Sequence, residues 1–249
     1  MNTKILRSEH RRPAPQRSKL EERLADEARF IRSWFDSPLK TGAVSPSGRF
    51  LARAMARCVD PHDDGLIVEL GPGTGPVTEA LIERGVAPER LVLVEYDAAF
   101  CKLLERRFPH SRIVQGDAYR LSDTLADVID APVAAIVSSL PLLTRPERTR
   151  LALLDEAFAL MGPEGQFVQF TYGLVSPMPL GLNRRTFTLY RSETAQPVWL
   201  NLPPARVWRY TRADAQAAPR APLKKKTTPI APAKELLRKI VDGARDARR

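Results

Sequence analysis

The sequence predicts an α/β fold in which helices cover both faces of a mostly parallel sheet. Strand-like and helix-like segments alternate from Leu66 to Tyr172, and such alternation is typical of parallel sheets. A glycine-rich stretch, Glu69-Leu-Gly71-Pro-Gly73-Thr-Gly75, directly follows the first predicted strand. After Tyr172 two predicted strands follow each other without a helix, so we expect a hairpin to close one edge of the sheet.

Two helical segments are predicted before the sheet. Residues 1–17 are basic and polar and are predicted to form a disordered arm. An amphipathic helix is predicted over 18–36, because apolar residues recur at helical spacing after the capping-box pair Ser18 and Glu21. A second helix is predicted at about 49–58. We assign residues 18–60 to a helical lid or membrane-contact segment.

The alternating region predicts five strands and four helices, which together with the hairpin define a domain over residues 61–212. The strands are expected at 66–70, 91–94, 113–114, 133–137 and 166–172, and the hairpin at 185–191 and 205–212. The helices are expected at 77–84, 98–107, 121–128 and 145–161, and Thr144 with Glu147 predicts a capping box for the last one. Residues 213–249 are predicted to be a basic tail, rich in Ala, Pro and Lys, with a short amphipathic helix at 234–241.

The composition excludes several classes of protein. The chain has 249 residues, of which 43% are hydrophobic and 27% charged, values typical of one folded domain with extensions. No run of 18 apolar residues occurs and we find no secretory signal, so we expect a cytoplasmic protein. Cys58 and Cys101 supply neither a disulfide framework nor a metal cluster, so no metal is expected.

The uneven charge of the chain favours a polyanionic partner. Residues 1–57 have a net charge of +7, residues 58–180 of −8 and residues 181–249 of +11. Basic material on both sides of an acidic centre favours binding to nucleic acid or to an anionic membrane surface. The alternative explanation is an Arg-rich proteome, because 30 of the 39 basic residues are arginines.

The glycine-rich stretch predicts a cofactor site. Glycines allow a tight turn and let the backbone approach a nucleotide-like ligand closely. Pro76 stands where a dinucleotide fingerprint has its last glycine, and no Lys-Ser/Thr pair follows, which argues against a dinucleotide and against a phosphate-loop NTPase. An acid two residues before the first glycine suits a cationic cofactor with an amino acid tail. S-adenosylmethionine fits this description.

Two later acids complete the expected cofactor set. Glu95 ends the second predicted strand, where a carboxylate can accept hydrogen bonds from both ribose hydroxyls. Asp117 follows the third strand, where it can accept from the adenine amino group. The alternative is structural: Glu69 would form a strand-end salt bridge, and Glu95 and Asp117 would cap helices.

On these residues, 66–172 resembles the class I S-adenosylmethionine-dependent methyltransferases, whose Rossmann-like seven-stranded sheet ends in a hairpin. Residues 18–212 resemble more particularly the bacterial phospholipid N-methyltransferases of the rhizobial type, which are relatives of the ribosomal RNA adenine dimethylases. The particular features are the aromatic first helix, the segment Lys40-Thr-Gly-Ala-Val-Ser-Pro-Ser47, and Ser139-Leu-Pro-Leu142. The resemblance implies cofactor contacts by the following residues besides the three acids: Thr41, Ser45, Gly71, Gly73, Gly75 and Ala118.

The segment Ser138-Ser139-Leu140-Pro141-Leu142 is expected to select the methyl acceptor. Amino-base methyltransferases resemble one another in an Asn/Asp-Pro-Pro-aromatic motif at this place, where the aromatic ring stacks on the flipped base. Leu142 cannot supply that stacking, which is worth about 1–3 kcal/mol per base. This argues against adenine and against a nucleic acid partner. The alternative is that the segment merely caps a strand.

A phospholipid amine fits the remaining features. Phe30, Trp34 and Phe35 with neighbouring arginines are typical of an interfacial helix, so we expect peripheral binding to the inner face of the cytoplasmic membrane. The alternative is that this helix packs as a lid. We expect the amine to be oriented by Ser138, Ser139, Tyr119 and Tyr172, and the phosphate to be held by Lys40, Arg184 or Arg185.

The resemblance implies up to three successive methyl transfers, which convert phosphatidylethanolamine to phosphatidylcholine. Two other functions stay open at this point. One is a ribosomal RNA adenine dimethylase. The other is a membrane- or nucleic-acid-binding protein with a vestigial methyltransferase fold.

Overall fold

Seven strands form a single sheet in the computed structural model, which describes residues 46–172, 175–180, 189–201 and 204–214. The strands are β1 (Leu66–Leu70), β2 (Leu91–Glu95), β3 (Arg112–Gln115), β4 (Val133–Ser138), β5 (Met161–Thr171), β6 (Tyr190–Thr194) and β7 (Arg206–Arg212). The α-helices are α1 (Pro46–Ala56), α2 (Pro76–Glu83), α3 (Ala98–Arg107), α4 (Leu121–Leu125) and α5 (Glu147–Leu160). Short 3-10 helices cover Pro88–Arg90, Ala118–Arg120 and Leu142–Thr144.

The strand order is β3-β2-β1-β4-β5-β7-β6. The first five strands in this order run parallel to one another, whereas β7 is antiparallel to both β5 and β6. This confirms the predicted Rossmann-like seven-stranded sheet and the hairpin at its edge. The further expectation of an amphipathic helix at 18–36 lies outside the described residues.

Continuous apolar runs place the parallel strands in the centre of the domain. Every residue of β1 and β2 is buried, as expected for strands covered on both faces. Side chains alternate between two apolar layers, so that Ile67 packs with α1, α2 and α3 on one face, while Val68 packs with α4 and α5 on the other. Leu51 and Met55 of α1 are buried in the first layer. This helix is therefore part of the core, although it falls within the segment predicted as a lid.

The carboxyl ends of the parallel strands lie together at one end of the sheet, where the candidate site is. The carboxyl ends of β1 and β4 lie side by side, because Leu70 pairs with Ser138. The carboxyl end of β5 lies opposite the start of β7, because Thr171 pairs with Arg206. We call this end of the sheet, at which the parallel strands finish, the carboxyl edge; it is distinct from the two lateral edges formed by β3 and β6. The connection between β6 and β7 lies at the same edge, since β7 starts there.

The start of α5 differs from the sequence prediction. The helix begins at Glu147 after Pro146, and no side chain caps it. The Thr144 hydroxyl instead donates to the Pro141 carbonyl at 2.7 Å, and Glu147 lies 3.8 Å from Arg150 in an ion pair. The predicted capping box is therefore wrong, because a 3-10 turn over residues 142–144 uses the threonine first.

The last two strands also differ in detail. β6 begins at Tyr190, five residues later than predicted, whereas β7 agrees with its predicted range within one residue. Predicted features at residues 1–45, 181–188 and 215–249 lie outside the described residues. Within the described part of the chain, no helix is long and apolar enough to cross a membrane, and no group of ligating side chains could hold a metal ion.

Candidate active site

A turn with three glycines in a left-handed backbone conformation, which we call the glycine turn, connects β1 to α2. The φ angles of Gly71, Gly73 and Gly75 are 66°, 57° and 86°, in the region that favours glycine. A Cβ at Gly75 would lie 2.4 Å from Phe108 Cε2, so no side chain fits there. A Cβ at Gly71 would lie 3.0 Å from Leu140 Cδ2. The turn therefore packs directly against the segment predicted to select the acceptor.

Glu95 connects the end of β2 to this turn. Its Oε2 accepts a hydrogen bond from the Gly73 N–H at 3.0 Å, and its Oε1 accepts from the Tyr96 and Asp97 N–H groups at 2.8 and 3.0 Å. The side chain that caps α3 is Asp97, which accepts from Ala99 and Phe100. The alternative of Glu95 as a helix cap is therefore wrong, and its contact with the ribose stays a prediction.

Asp117 lies on the neighbouring loop, two residues beyond β3. The loop is held against the end of β2, because the Gly116 N–H donates to the Glu95 carbonyl at 3.0 Å. Asp117 Oδ1 accepts from the Tyr119 N–H at 2.9 Å and so caps the 3-10 helix that follows. No described residue donates a hydrogen bond to its Oδ2. The residue thus has the structural role of a cap and keeps one oxygen available, while Ala118 beside it is buried.

Glu69 is fully buried beneath the glycine turn. Thr78 donates its hydroxyl to Oε2 at 2.7 Å, and among the described residues no cation pairs with the carboxylate. The alternative of a strand-end salt bridge therefore finds no partner among these residues. Burial raises the pKa of Glu69 to about 8, against the lowering effect of the Thr78 hydroxyl, and Glu95 raises it further.

The other oxygen of Glu69 tests whether the site fits the expected cofactor. Oε1 is buried and has no hydrogen-bond partner among the described residues, although buried polar atoms are ordinarily paired. An ammonium group, directly or through an ordered water, would satisfy it and would favour the ionised carboxylate. The glycine turn, Glu95 and Asp117 lie at the same carboxyl edge as this acid. These residues fit S-adenosylmethionine, which carries an ammonium, a ribose and an adenine.

The segment Ser138 to Leu142, which we call the acceptor segment, lies at the end of β4 at the same carboxyl edge. The Ser139 N–H donates to the Leu70 carbonyl at 2.9 Å, and Ser138 Oγ accepts from the Leu140 N–H at 3.4 Å. Both serines are buried. Leu142 is only 2% exposed and packs in the apolar layer of α4 and α5. It therefore offers no surface on which a base could stack.

Gln169 supports the acceptor segment from β5, next to Ser138 in the sheet. Its Nε2 donates to the Leu140 carbonyl at 3.1 Å, and its Oε1 is buried without a hydrogen-bond partner among the described residues. The sequence alone does not indicate this residue, because only the pairing of β4 with β5 brings it to the segment.

Tyr119 and Arg145 form a stack between the Asp117 loop and the acceptor segment. The Arg145 guanidinium carbon lies 4.6 Å from the centre of the Tyr119 ring, a cation–π geometry. Burial raises the pKa of Tyr119, and Arg145 offsets part of this rise. Arg145 is exposed, and no carboxylate of the described residues pairs with it. The sequence alone does not indicate a role for this arginine, because its position against Tyr119 depends on the fold.

Two further aromatic residues lie at the carboxyl edge. Tyr172 follows β5, is half-buried, and meets Phe170 edge-on with 5.4 Å between ring centres. Tyr96 follows Glu95 directly and is well exposed, so its ring is available for stacking on a purine. The predicted residues Thr41, Ser45, Lys40, Arg184, Arg185, Phe30, Trp34 and Phe35 lie outside the described residues.

Comparisons with known proteins show similarity to methyltransferases. Residues 51–141 match the family model described as ribosomal RNA adenine dimethylase. The chain is 28% identical over 145 residues to an ornithine lipid N-methyltransferase of Singulisphaera acidiphila, a match that covers 57% of this chain and 76% of that one. It is 34% identical over 96 residues to ribosomal RNA small subunit methyltransferase A of Synechococcus sp. (strain JA-3-3Ab), covering 37% of this chain. The match spans only 31% of that ribosomal enzyme.

A solved structure shows the same fold. The 1,6-didemethyltoxoflavin-N1-methyltransferase of Burkholderia thailandensis, bound to S-adenosylhomocysteine, superposes with a TM-score of 0.54 at 15% identity. The superposition covers 81% of this chain and 93% of that one. At this identity the likeness establishes the fold alone.

Proposed function

We propose that this chain methylates the amine of phosphatidylethanolamine and of its mono- and dimethyl forms, towards phosphatidylcholine. The premise is that the chain is an S-adenosylmethionine-dependent methyltransferase with the class I fold. The observation that carries the choice of a lipid amine is the burial of Leu142 in the apolar core, at the position where base-modifying enzymes need an aromatic surface. A primary amine on a flexible head group needs no such surface.

The chain's own residues divide the work of holding the cofactor. The glycine turn allows close approach, Glu95 and Asp117 offer carboxylate oxygens, and Glu69 places a buried negative charge beneath the turn once it is ionised. When bound, S-adenosylmethionine supplies an electrophilic methyl group on a sulfonium. Tyr96 adds an exposed ring beside Glu95.

The acceptor amine has to be neutral, because an ammonium has no lone pair. The segment around Ser139 favours this form, since Leu140, Leu142 and Phe170 make its surroundings apolar and desolvation disfavours the charged amine. The Ser139 hydroxyl and nearby main-chain carbonyls are suited to accept the N–H groups and to point the lone pair at the methyl group. Solvent takes the released proton. Catalysis then comes chiefly from proximity and orientation.

Arg145 is the described residue best suited to the lipid phosphate. It is exposed, it lies immediately after the acceptor segment, and the Tyr119 ring holds its guanidinium in place. A guanidinium binds phosphate oxygens in a bidentate manner. Lys40, Arg184 and Arg185 remain candidates for the same task in the part of the chain that the structure does not describe.

Membrane binding is part of the proposal. The helix expected at 18–36 would place Phe30, Trp34 and Phe35 in the interface of an anionic membrane, peripherally and on the cytoplasmic side. Each neighbouring basic residue adds about 1 kcal/mol near such a surface. The basic residues of the flanks then give reversible docking rather than permanent anchoring.

A ribosomal RNA adenine dimethylase is the second candidate, because the family model that matches this chain is described by that activity. The matched range of 51–141 contains β1 to β4 and ends one residue before Leu142. It therefore covers Glu69, Glu95 and Asp117 together with four of the five residues of the segment 138–142, and it leaves out Leu142. The match to the ornithine lipid enzyme extends over more residues than the match to the ribosomal enzyme.

The test is a competition between acceptors. The full chain is incubated with cofactor labelled in its methyl group and with phosphatidylethanolamine vesicles, ornithine lipid vesicles or ribosomal RNA. We expect label in phosphatidylethanolamine, and none when Glu95→Gln replaces the wild type. Label in ornithine lipid alone would support methylation of a lipid amine, but it would show that the head group is not ethanolamine. Label in the RNA alone would overturn the proposal.

A further inference from the structure

The connection between β6 and β7 exposes two large apolar side chains next to each other. Trp199 is 73% and Leu200 67% exposed, whereas the following Asn201 is only 3% exposed. We call residues 198–201 the hairpin tip. Single exposed apolar residues are common on protein surfaces, but an adjacent tryptophan and leucine at the end of a hairpin form a projecting apolar patch.

Hydrogen bonds hold the hairpin tip in a defined shape. The Val198 N–H donates to the Ala205 carbonyl at 2.7 Å, and the Asn201 N–H donates to the Val198 carbonyl at 3.1 Å. Val198 and Ala205 thereby form an isolated antiparallel bridge that extends the hairpin. These bonds close the turn, and within the part of the chain that the structure describes the side chains of Trp199 and Leu200 remain largely exposed.

The hairpin tip lies at the carboxyl edge, where the cofactor and acceptor residues also lie. β7 starts at this edge, since Arg206 pairs with Thr171 at the end of β5. Val175, which is 73% exposed, belongs to the segment that leaves the same end of β5. Together with Tyr96, four of the six exposed large apolar residues among the described residues thus lie at the edge that the methyl acceptor has to approach.

The charge near the hairpin tip indicates which class of partner it can bind. No acidic residue occurs between Ala195 and Arg212, and Arg206, the first residue of β7, is the arginine of β7 nearest the tip. Arg209 and Arg212 lie further along β7 and form ion pairs with Glu193 and Asp214. Tryptophan is enriched at membrane interfaces, because its ring is apolar and its N–H remains able to donate a hydrogen bond. An apolar tip beside Arg206, in a part of the sequence (181–249) with a net charge of +11, therefore suits the head-group region of an anionic bilayer.

We propose that Trp199 and Leu200 insert into the head-group region of an anionic lipid bilayer and turn the carboxyl edge towards the membrane. This inference rests on the proposed function and deepens it, because it explains how a lipid amine reaches a site at that edge while its acyl chains stay in the bilayer. It is independent of the helix expected at 18–36.

The first test measures insertion in the full chain. Vesicles contain phosphatidylglycerol and phosphatidylethanolamine, some with brominated acyl chains, which quench tryptophan fluorescence at short range. We expect quenching in the wild type and a clear loss of that quenching in Trp199→Phe, which keeps Trp34 and Trp208. Equal quenching of the two proteins would overturn the proposal.

The second test measures partitioning into the same vesicles. We expect the double variant Trp199→Ser/Leu200→Ser to lower the partition coefficient about tenfold or more, because it removes two large apolar side chains from the interface. Leu189→Ser is the matched control: Leu189 is 43% exposed but precedes β6 at the opposite edge of the sheet. An unchanged double variant, or an equal loss in the control, would contradict the inference. A double variant that loses RNA binding and keeps vesicle binding would contradict it too.

A third measurement separates this inference from the proposed function. On short-chain phosphatidylethanolamine kept below its micelle concentration, the double variant should turn over like the wild type, while its rate on vesicles falls. Equal loss on both substrates would overturn the docking role. If the wild type methylates no lipid but Trp199 is quenched, the proposed function fails and the docking surface stands.

Discussion

Glu69 shows what burial does to a single residue in this site. Burial raises its pKa from 4.5 to about 8, so the folded chain holds a proton that the unfolded chain releases above 4.5. Stability therefore falls as the pH rises from 4.5 to about 8, by at most about 1.4 kcal/mol per pH unit for one proton. Glu69→Gln should remove this dependence, measured as the free energy of unfolding in denaturant between pH 5 and pH 8. Parallel curves for the two proteins would contradict the buried neutral acid.

Gly75 provides a second prediction at the residue scale. Its φ of 86° opposes any side chain, and so does Phe108, whose Cε2 would lie only 2.4 Å from an added Cβ. The left-handed backbone alone costs a non-glycine residue about 1–2 kcal/mol, and the clash adds to it. Gly75→Ala should therefore lower the free energy of unfolding by at least about 2 kcal/mol and weaken cofactor binding. Gly162→Ala, where nothing lies within 4 Å, is the control and should be nearly neutral.

Some features of the site residues could be predicted from the local sequence, and others could not. The glycine turn and Glu95 could be predicted, because their spacing relative to a buried strand is short-range. The full burial of Glu69, the support of Leu140 by Gln169 and the stack of Arg145 on Tyr119 could not, because each depends on contacts between segments far apart in the chain. Whether the predicted residues touch the cofactor remains a prediction.

The elements were most predictable where the chain is most apolar. β1 and α3 have the predicted bounds, because a buried parallel strand and an amphipathic helix leave clear patterns. β6 was misplaced, since its residues are polar and mostly exposed, and such a strand has no apolar alternation to mark its start. The start of α5 was misplaced because a 3-10 turn competed for Thr144.

The loop between β4 and α5 carries a prediction about the phosphate. Arg145→Ala should raise the KM for phosphatidylethanolamine vesicles about tenfold, since a hydrogen bond to a charged group contributes about 1.5–3 kcal/mol. The cofactor dissociation constant should not change. The control is Arg148→Ala, an exposed arginine of α5 that should leave both constants unchanged. Equal effects of the two variants would show a general charge effect instead of a specific contact.

At the scale of the whole molecule, one edge of one sheet gathers the functions. Glu69, Glu95 and Asp117 lie at the carboxyl ends of neighbouring strands, the acceptor segment leaves the next strand, and the hairpin tip projects from the same edge. The fold class was predictable from the alternation of strands and helices. The common edge of the hairpin tip and the site was not, because it requires the antiparallel pairing of β7 with β5.

The proposed methylation of phosphatidylethanolamine can be read from the lipid composition of cells that make the protein. The chain is expressed in a bacterium that contains phosphatidylethanolamine and no phosphatidylcholine, and the lipids are analysed by mass spectrometry. We predict ethanolamine phospholipids heavier by one, two or three methyl substitutions with the wild type, and none with Glu95→Gln. Unmodified phosphatidylethanolamine together with newly dimethylated adenine in ribosomal RNA would contradict methylation of a lipid amine.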